Sequence, residues 1–445
     1  MSCDVGSHAA NCCSVRDPPV SHNIRSQLAA DGGGMAEPSP ILEELDTLEV
    51  YGDTTVGWDA HTPINETVDE EGNPFSGRRP GFGVPDLRAP SKRVYDHPDV
   101  ARLRTYLKEN NGIRGIEICD RDEVERAVRI FRRDGFVVVR DLLDEEHLAT
   151  FRRGSARALR QILEVPGLGK RKYVTESGRL PHRYSYGTAS ASRQMLHEKE
   201  WAAMVDLPTT TPILAEIFGS MDYLVLGAGG DLCLPGAVEY QHLHVDVMES
   251  NQIPKGRLET AKNIGIEIRN EEGSDELNLA TRRRIVDFCP AVVTINFAMC
   301  DLTWENGPIR QILGSHTWQM RPPSPEDEPD WMRLSTLVGA PAGAGVFRDN
   351  RAWHGATPNL SREIRSLPNV EYGAPWLGSQ HKKTMPHEIW ETLTPHGKHL
   401  CRHIKAEPGV WPPGAGIMHP LGAERRAAAK RMGGSGGRQH GSPGG

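Results

Sequence analysis

The chain is short of aromatic residues, at 6%, and has no excess of positive charge, with a formal net charge of -7. Its isoelectric point near 6.2 gives no bulk attraction to nucleic acid or to anionic membranes. No apolar run approaches the roughly 20 residues that cross a bilayer. The opening Met1-Ser2-Cys3-Asp4-Val5-Gly6 lacks a basic region followed by an apolar core. No secretory signal is therefore expected, and a cytoplasmic location is. The eight cysteines form no CxxC pair, which argues against a zinc ribbon or a dense disulfide framework and fits a reducing compartment. The sequons at Asn65 and Asn359 carry no weight without export.

Glycine and proline are plentiful instead, with 46 and 33 copies, many of them near the two ends. Residues 1–90 read as a low-order region without sustained periodicity, with stretches such as Asp31-Gly32-Gly33-Gly34. Residues 91–385 are expected to form one domain, and 386–445 an extension of a helix or two with a disordered glycine-rich tail. A short helix is expected after Pro98. A stronger one opens at Asp122-Glu123-Val124 and stops at Asp134-Gly135. Phe136–Val139 reads as a buried strand, and Asp144 as the N-cap of a further helix. From Met221 the pattern turns to strands: Tyr223–Leu226 ending in glycines, an alternating Glu239–Val247, Ala291–Phe297, Gly345–Phe347 and Ile364–Tyr372. Short strands separated by turns point to a mainly β fold with flanking helices, a double-sheet jelly roll.

The chemistry concentrates in Gln241-His242-Leu243-His244-Val245-Asp246. Side chains alternate along an extended strand, so His244 and Asp246 leave the same face and suit one metal ion. His242 shares that face and is an alternative ligand or a substrate contact. Eighteen histidines make a chance HxD ordinary, and His97-Pro98-Asp99 is a second one that reads as a turn and cap. His354, in Trp353-His354-Gly355, supplies a second imidazole from far downstream. Two His and one carboxylate on one side of an ion make the facial triad of non-haem Fe(II) oxygenases. Arg365 follows His354 by eleven positions, and its planar fork suits a carboxylate. Alone, Arg365 reads better as a surface ion pair, with Glu363 as the partner at hand.

Between these lie Glu305-Asn306-Gly307-Pro308 and Gly314-Ser315-His316, and beyond them His354-Gly355 with Pro358-Asn359 and Arg365. In this order, with Gly135–Val139 upstream, the chain resembles the phytanoyl-CoA dioxygenase family over roughly Val124 to Tyr372. The resemblance implies a double-stranded β-helix of the cupin-like kind. It implies Fe(II) held by His244, Asp246 and His354, with dioxygen as co-reactant. It implies a 2-oxoglutarate carboxylate gripped by Arg365. Ala356 stands where the family often has Ser, which leaves Thr357 as the neighbouring hydroxyl for that carboxylate. An Asp at position 246 favours hydroxylation or desaturation over halogenation.

Other signals are weaker. Leu226–Gly230 fails as a dinucleotide fingerprint, because Leu232 stands at the third glycine position. The basic run from Lys170 to Arg183 reads as a solvated loop, or as a lid over an anionic ligand. The polar insertion after Val247 reads as a cover for the site mouth or as an oligomer contact. His316 reads as satisfying backbone groups beside the site. The expected partner is a small-molecule substrate, with no nucleic acid and no membrane; the sequence does not give the oligomeric state. Two rival classes share the three ligands: a non-catalytic metal-binding cupin-like protein and a metal-assisted hydrolase. Neither needs Arg365.

Overall fold

The computed structural model describes residues 50–51, 90–91, 116–163, 183–187, 194–233, 243–323, 335–357, 359, 361, 363–377 and 382–416. The chain divides into two units, Met1–Leu48 and Glu49–Gly445, and every described residue belongs to the second. His97, the helix expected after Pro98, the basic run up to His182, His242 and the glycine-rich tail lie outside the described residues. In a short antiparallel pair, β1 (Val50–Tyr51) falls within the stretch expected to lack order and β2 (Pro90–Ser91) at its boundary.

Helix α1 (Val124–Asp134) buries Ala127, Val128, Ile130 and Phe131 along one stripe. It stops at Gly135, whose φ of 82° suits glycine, and the Gly135 N–H closes the helix on Phe131 O at 2.8 Å. A Cβ at Gly135 would also lie 2.6 Å from His316 Nδ1, so glycine is required there twice over. The chain then enters the fully buried β4 (Phe136–Val139), which pairs in parallel with β3 (Ile118–Cys119). Asp144 Oδ1 accepts from His147 N at 2.8 Å and so caps α2 (Glu145–Leu163). Helices α3 (Lys199–Ala203) and α4 (Thr211–Phe218) follow.

The remaining strands are β5 (Arg183–Tyr186), β6 (Leu224–Cys233), β7 (Val292–Phe297), β8 (Ile309–Gln311), β9 (Thr336–Leu337), β10 (Gly345–Asp349), β11 (His354–Ala356) and β12 (Arg365–Gly373). They form a seven-stranded sheet, β3-β4-β10-β7-β12-β6-β5, and a three-stranded sheet, β11-β8-β9. A bridge between His244 and His354 extends the smaller sheet by one more segment. From β7 to β12 the chain passes repeatedly between the two sheets, which makes the fold a jelly roll. Both sheets contribute to its core, in which Val138, Ala298, Val346 and Leu367 meet Ile309 and Val338. Helices cover the outer face of the larger sheet: the Phe151 ring lies 6.4 Å from that of Phe297, and Tyr372 Oη donates to Met204 O at 3.1 Å.

Two expectations are corrected here. β6 does not end at its glycines but runs through them to Cys233, because β12 pairs along its length and β5 along its far half. Gly230 is needed for that close packing, since a Cβ would lie 2.5 Å from Tyr186 Oη. The expected strand Glu239–Val247 is, in its described part, a single bridge at His244 followed by a bend. Asp246 N and Val247 N both turn to Asn350 O, at 3.0 and 3.1 Å, so the chain leaves the ladder immediately after the histidine.

The insertion after this bend forms α5 (Lys255–Asn263) and α6 (Leu279–Phe288), which share a small core of Ala261, Ile266, Ile285 and Cys289. Two further helices, α7 (His387–Trp390) and α8 (Pro395–Leu400), lie in the extension. His396 Nδ1 meets Asp206 Oδ1 at 2.7 Å and ties that extension to the domain. No helix among the described residues is long and apolar enough to cross a membrane.

Candidate metal centre

His244, Asp246 and His354 come together as the sequence suggests. One ligand atom from each lies within 4.8 Å of the others. His244 Nε2 is 3.6 Å from Asp246 Oδ1, and His354 Nε2 is 3.6 Å from Asp246 Oδ2. The backbone sets this arrangement. His244 N donates to His354 O at 3.0 Å and His354 N to His244 O at 3.1 Å, which holds the two imidazoles on one face. The bend at Asn350 O then brings Asp246 back between them. His354 Nδ1 lies 3.0 Å from Ala352 O and 3.1 Å from Arg348 Nη1. A guanidinium can only donate and a carbonyl can only accept, so the two contacts compete; with a metal on Nε2 the proton sits on Nδ1 and goes to Ala352 O. Nε2 then keeps its lone pair, the tautomer a metal requires.

Arg348 was not singled out in the sequence. It is buried, and Nη2 meets Asp246 Oδ2 at 2.8 Å. Burial pushes Asp246 up, but Arg348, His354 and His244 together outweigh it and hold the carboxyl well below its usual range. Burial, and after it Arg348, keeps the His354 imidazole neutral well below its ordinary range. Both directions favour the protonation states that bind metal. The signal for Arg348 was available in Gly345–Asp349, where alternation places it on the face opposite Phe347.

Glu371 was also missed. It faces Thr294 across the β12–β7 pair, and Thr294 faces Arg348 across β7–β10, so all three share the inner face. Asn350 Nδ2 donates to Glu371 Oε1 at 3.2 Å and Thr294 Oγ1 to Asn350 Oδ1 at 2.8 Å. Burial, then the charge of Asp246, raises the Glu371 carboxyl to about 7.

Arg365 opens β12 and is buried. Its Nε donates to Gly307 O at 2.8 Å and its Nη1 to Asp231 O at 3.4 Å. These carbonyls fix the fork deep between the sheets. Thr357 lies nearby in sequence, and its Oγ1 donates to Pro308 O at 2.6 Å. His316 is not part of the metal group; its Nε2 lies 3.2 Å from Arg132 O, the backbone contact its position suggested. Asn306, in the Glu-Asn-Gly-Pro turn, is structural: its Oδ1 accepts from Thr303 N and its Nδ2 donates to Asp301 O.

The insertion is bolted to this centre. Glu249 takes two bonds from Arg257, at 2.9 and 2.8 Å, and one from Arg351 at 2.6 Å. Arg351 also pairs with Asp349 at 2.7 Å. The network joins α5 to the segments carrying Asp246 and His354. Burial alone would raise Glu249, but Arg257 and Arg351 lower it to about 2.

A jelly roll with two imidazoles and one carboxylate converging inside it offers the donor set of the non-haem iron, 2-oxoglutarate-dependent dioxygenases. Residues 275–367 match the family model described as phytanoyl-CoA dioxygenase. Solved structures that resemble it include HygX from Streptomyces hygroscopicus with nickel, 2-oxoglutarate and hygromycin B bound. That likeness has 15% identity, covers 56% of this chain and 87% of that one, and has a TM-score of 0.37. AviO1 from Streptomyces viridochromogenes Tue57 is similar at 17% identity over 57% and 96% of the two chains, with a TM-score of 0.37. The epimerase SnoN, in complex with Fe3+, alpha ketoglutarate and nogalamycin RO, is similar at 18% identity over 57% and 84%, with a TM-score of 0.38.

Proposed function

We propose that His244, Asp246 and His354 hold Fe(II), that Arg365 grips the far carboxylate of 2-oxoglutarate, and that the enzyme hydroxylates or desaturates a C–H bond. The observation that carries this is the convergence of the three ligand atoms within 4.8 Å. The donor set fits Fe(II), being two neutral nitrogens and one anionic oxygen with the remaining positions open. The buried fork of Arg365 fits the second carboxylate of a diacid. With dioxygen, iron and 2-oxoglutarate supply the oxidising equivalents for the C–H bond and leave succinate and carbon dioxide.

The chain's own residues supply the geometry. Ala352 O fixes the His354 tautomer, Arg348 holds Asp246 ionised, and the interior around Arg365 excludes water. Thr357 joins Arg365 on the carboxylate if its hydroxyl turns away from Pro308 O. The substrate is a small organic molecule or an acyl thioester, met in a reducing, cytoplasmic setting. The family description favours the thioester by analogy alone.

The test is succinate release from 2-oxoglutarate by the iron-loaded protein in air, with binding of 2-oxoglutarate to the Mn(II)-loaded protein measured beside it. Tight metal binding with no 2-oxoglutarate binding would favour a metal-binding cupin-like protein or a metal-assisted hydrolase.

A further inference from the structure

Gln311 is fully buried, and neither its Nε2 nor its Oε1 has a hydrogen-bond partner. A primary amide left so is destabilising, which native structures avoid unless a water, ion or ligand completes the site. Its position says which. On β8 Gln311 lies directly opposite His354 of β11, so the two side chains leave the same face of the smaller sheet. The face is the metal face, because His354 Nε2 points at Asp246.

The other end of the same segment leads to Arg365. Gly307, two residues before β8, accepts from Arg365 Nε at 2.8 Å. A diacid reaching from the triad to Arg365 therefore runs along β8, with Gln311 at its metal end. At that end an α-keto acid presents a carboxylate with one oxygen for the metal and one left over. The leftover oxygen needs a donor, and Gln311 Nε2 offers two N–H bonds that nothing else uses.

We propose that Gln311 donates a hydrogen bond to the metal-end carboxylate of the bound α-keto acid, making it a cosubstrate-binding residue at the opposite end of that molecule from Arg365. This rests on the reading of the site as a 2-oxoglutarate site. The metal's own ligands are not involved, so the effect falls on the organic acid.

The experiment is calorimetric titration of 2-oxoglutarate into the Mn(II)-loaded full chain, without any further substrate. Wild type is compared with Gln311→Leu, Gln311→Met and Gln311→Glu, with Arg365→Ala as reference. The Leu and Met variants are expected to bind 2-oxoglutarate roughly ten- to a hundredfold more weakly, the loss of one charge-assisted bond. Gln311→Glu should lose at least as much, because it sets carboxylate against carboxylate. The thermal midpoints of the ligand-free Leu and Met variants should equal or exceed wild type, since an apolar side chain relieves an unpartnered amide. Wild-type affinity in both the Leu and Met variants, with Arg365→Ala impaired, would overturn the proposal. A midpoint that falls together with affinity in both marks a structural role and overturns it too. Failure of wild type itself to bind 2-oxoglutarate is a separate result, and it removes the functional reading beneath.

Discussion

Arg348 and His244 meet opposite oxygens of Asp246: Arg348 Nη2 lies 2.8 Å from Oδ2, and His244 Nε2 lies 3.6 Å from Oδ1. The guanidinium supplies positive charge to a carboxylate that is largely out of water. Without metal it is the permanent cation on that group. Removing it leaves Asp246 buried and unpaired, a loss of about 3–5 kcal/mol. Arg348→Met should therefore lower the thermal midpoint of chelator-treated protein sharply. Added Mn(II) should restore much of it, because the ion replaces the missing charge. Equal midpoint losses with and without Mn(II) would show that Arg348 acts on packing and not on the charge of Asp246.

The triad itself makes a simpler prediction. His244→Ala, Asp246→Ala and His354→Ala should each abolish iron binding or turnover, whereas His97→Ala should leave both intact. Equilibrium binding of Mn(II) and succinate release give two independent readings. Full turnover by Asp246→Ala without added carboxylate would remove that residue from the ligand set.

Much of this centre was legible because order along the chain carries it. Short runs between turns brought out β4, β7, β10 and β12, and the resemblance tied His244, Asp246 and His354 together. The local reason given for the first pair was incomplete. His244 and Asp246 do not sit on one regular strand. A bridge to His354 and a bend onto Asn350 O bring them together, and both are contacts of more than a hundred residues' separation that no local pattern shows. The same holds for Gln311 and Glu371. Each reads as an isolated polar residue in a short strand, and only cross-strand register places it on the metal face. Gly227, Gly229 and Gly230 misled in the other direction, because pairing with β12 and β5 overrides glycine's weak strand preference.

Glu371 gives a pH dependence. Its folded-state pKa is raised to about 7 from 4.5, so the native state binds the proton more tightly than the unfolded chain. Stability from this group is complete below the unfolded pKa and is lost as pH rises through the folded one, between about 4.5 and 7. The loss is on the order of 3–4 kcal/mol in metal-free protein, at about 1.4 kcal/mol per pH unit. Glu371→Gln should flatten the fall in thermal midpoint between pH 5 and pH 8. An unchanged slope in the variant would show that other groups set it.

Glu249 should behave with the opposite sign. Its carboxyl is held at about 2 by Arg257 and Arg351 after burial has pushed the other way. Stability from it is present above the unfolded value near 4.5 and is lost as pH falls toward 2. Glu249→Gln should weaken the joint between α5 and the metal loop by about 3 kcal/mol at neutral pH. Hydrogen exchange should then rise first in 253–289, ahead of the strands. Uniform exchange across the chain would mean that the insertion and the jelly roll unfold as one.

Arg365 separates this class of enzyme from its rivals. Its guanidinium is buried and fixed by two carbonyls, and neither of these neutralises its charge. The far carboxylate of 2-oxoglutarate would do so. Breaking a buried charge-assisted pair costs about 3–5 kcal/mol. At about 1.4 kcal/mol per factor of ten, Arg365→Ala should raise the 2-oxoglutarate requirement a hundredfold or more. Iron affinity should change little, because no metal ligand is touched. Arg365→Lys should recover only part, since an ammonium cannot reproduce two parallel bonds. Titration of 2-oxoglutarate at fixed iron, for wild type and both variants, decides it. An unchanged cosubstrate requirement in Arg365→Ala would leave a metal-binding jelly roll or a hydrolase as the better account of the same three ligands.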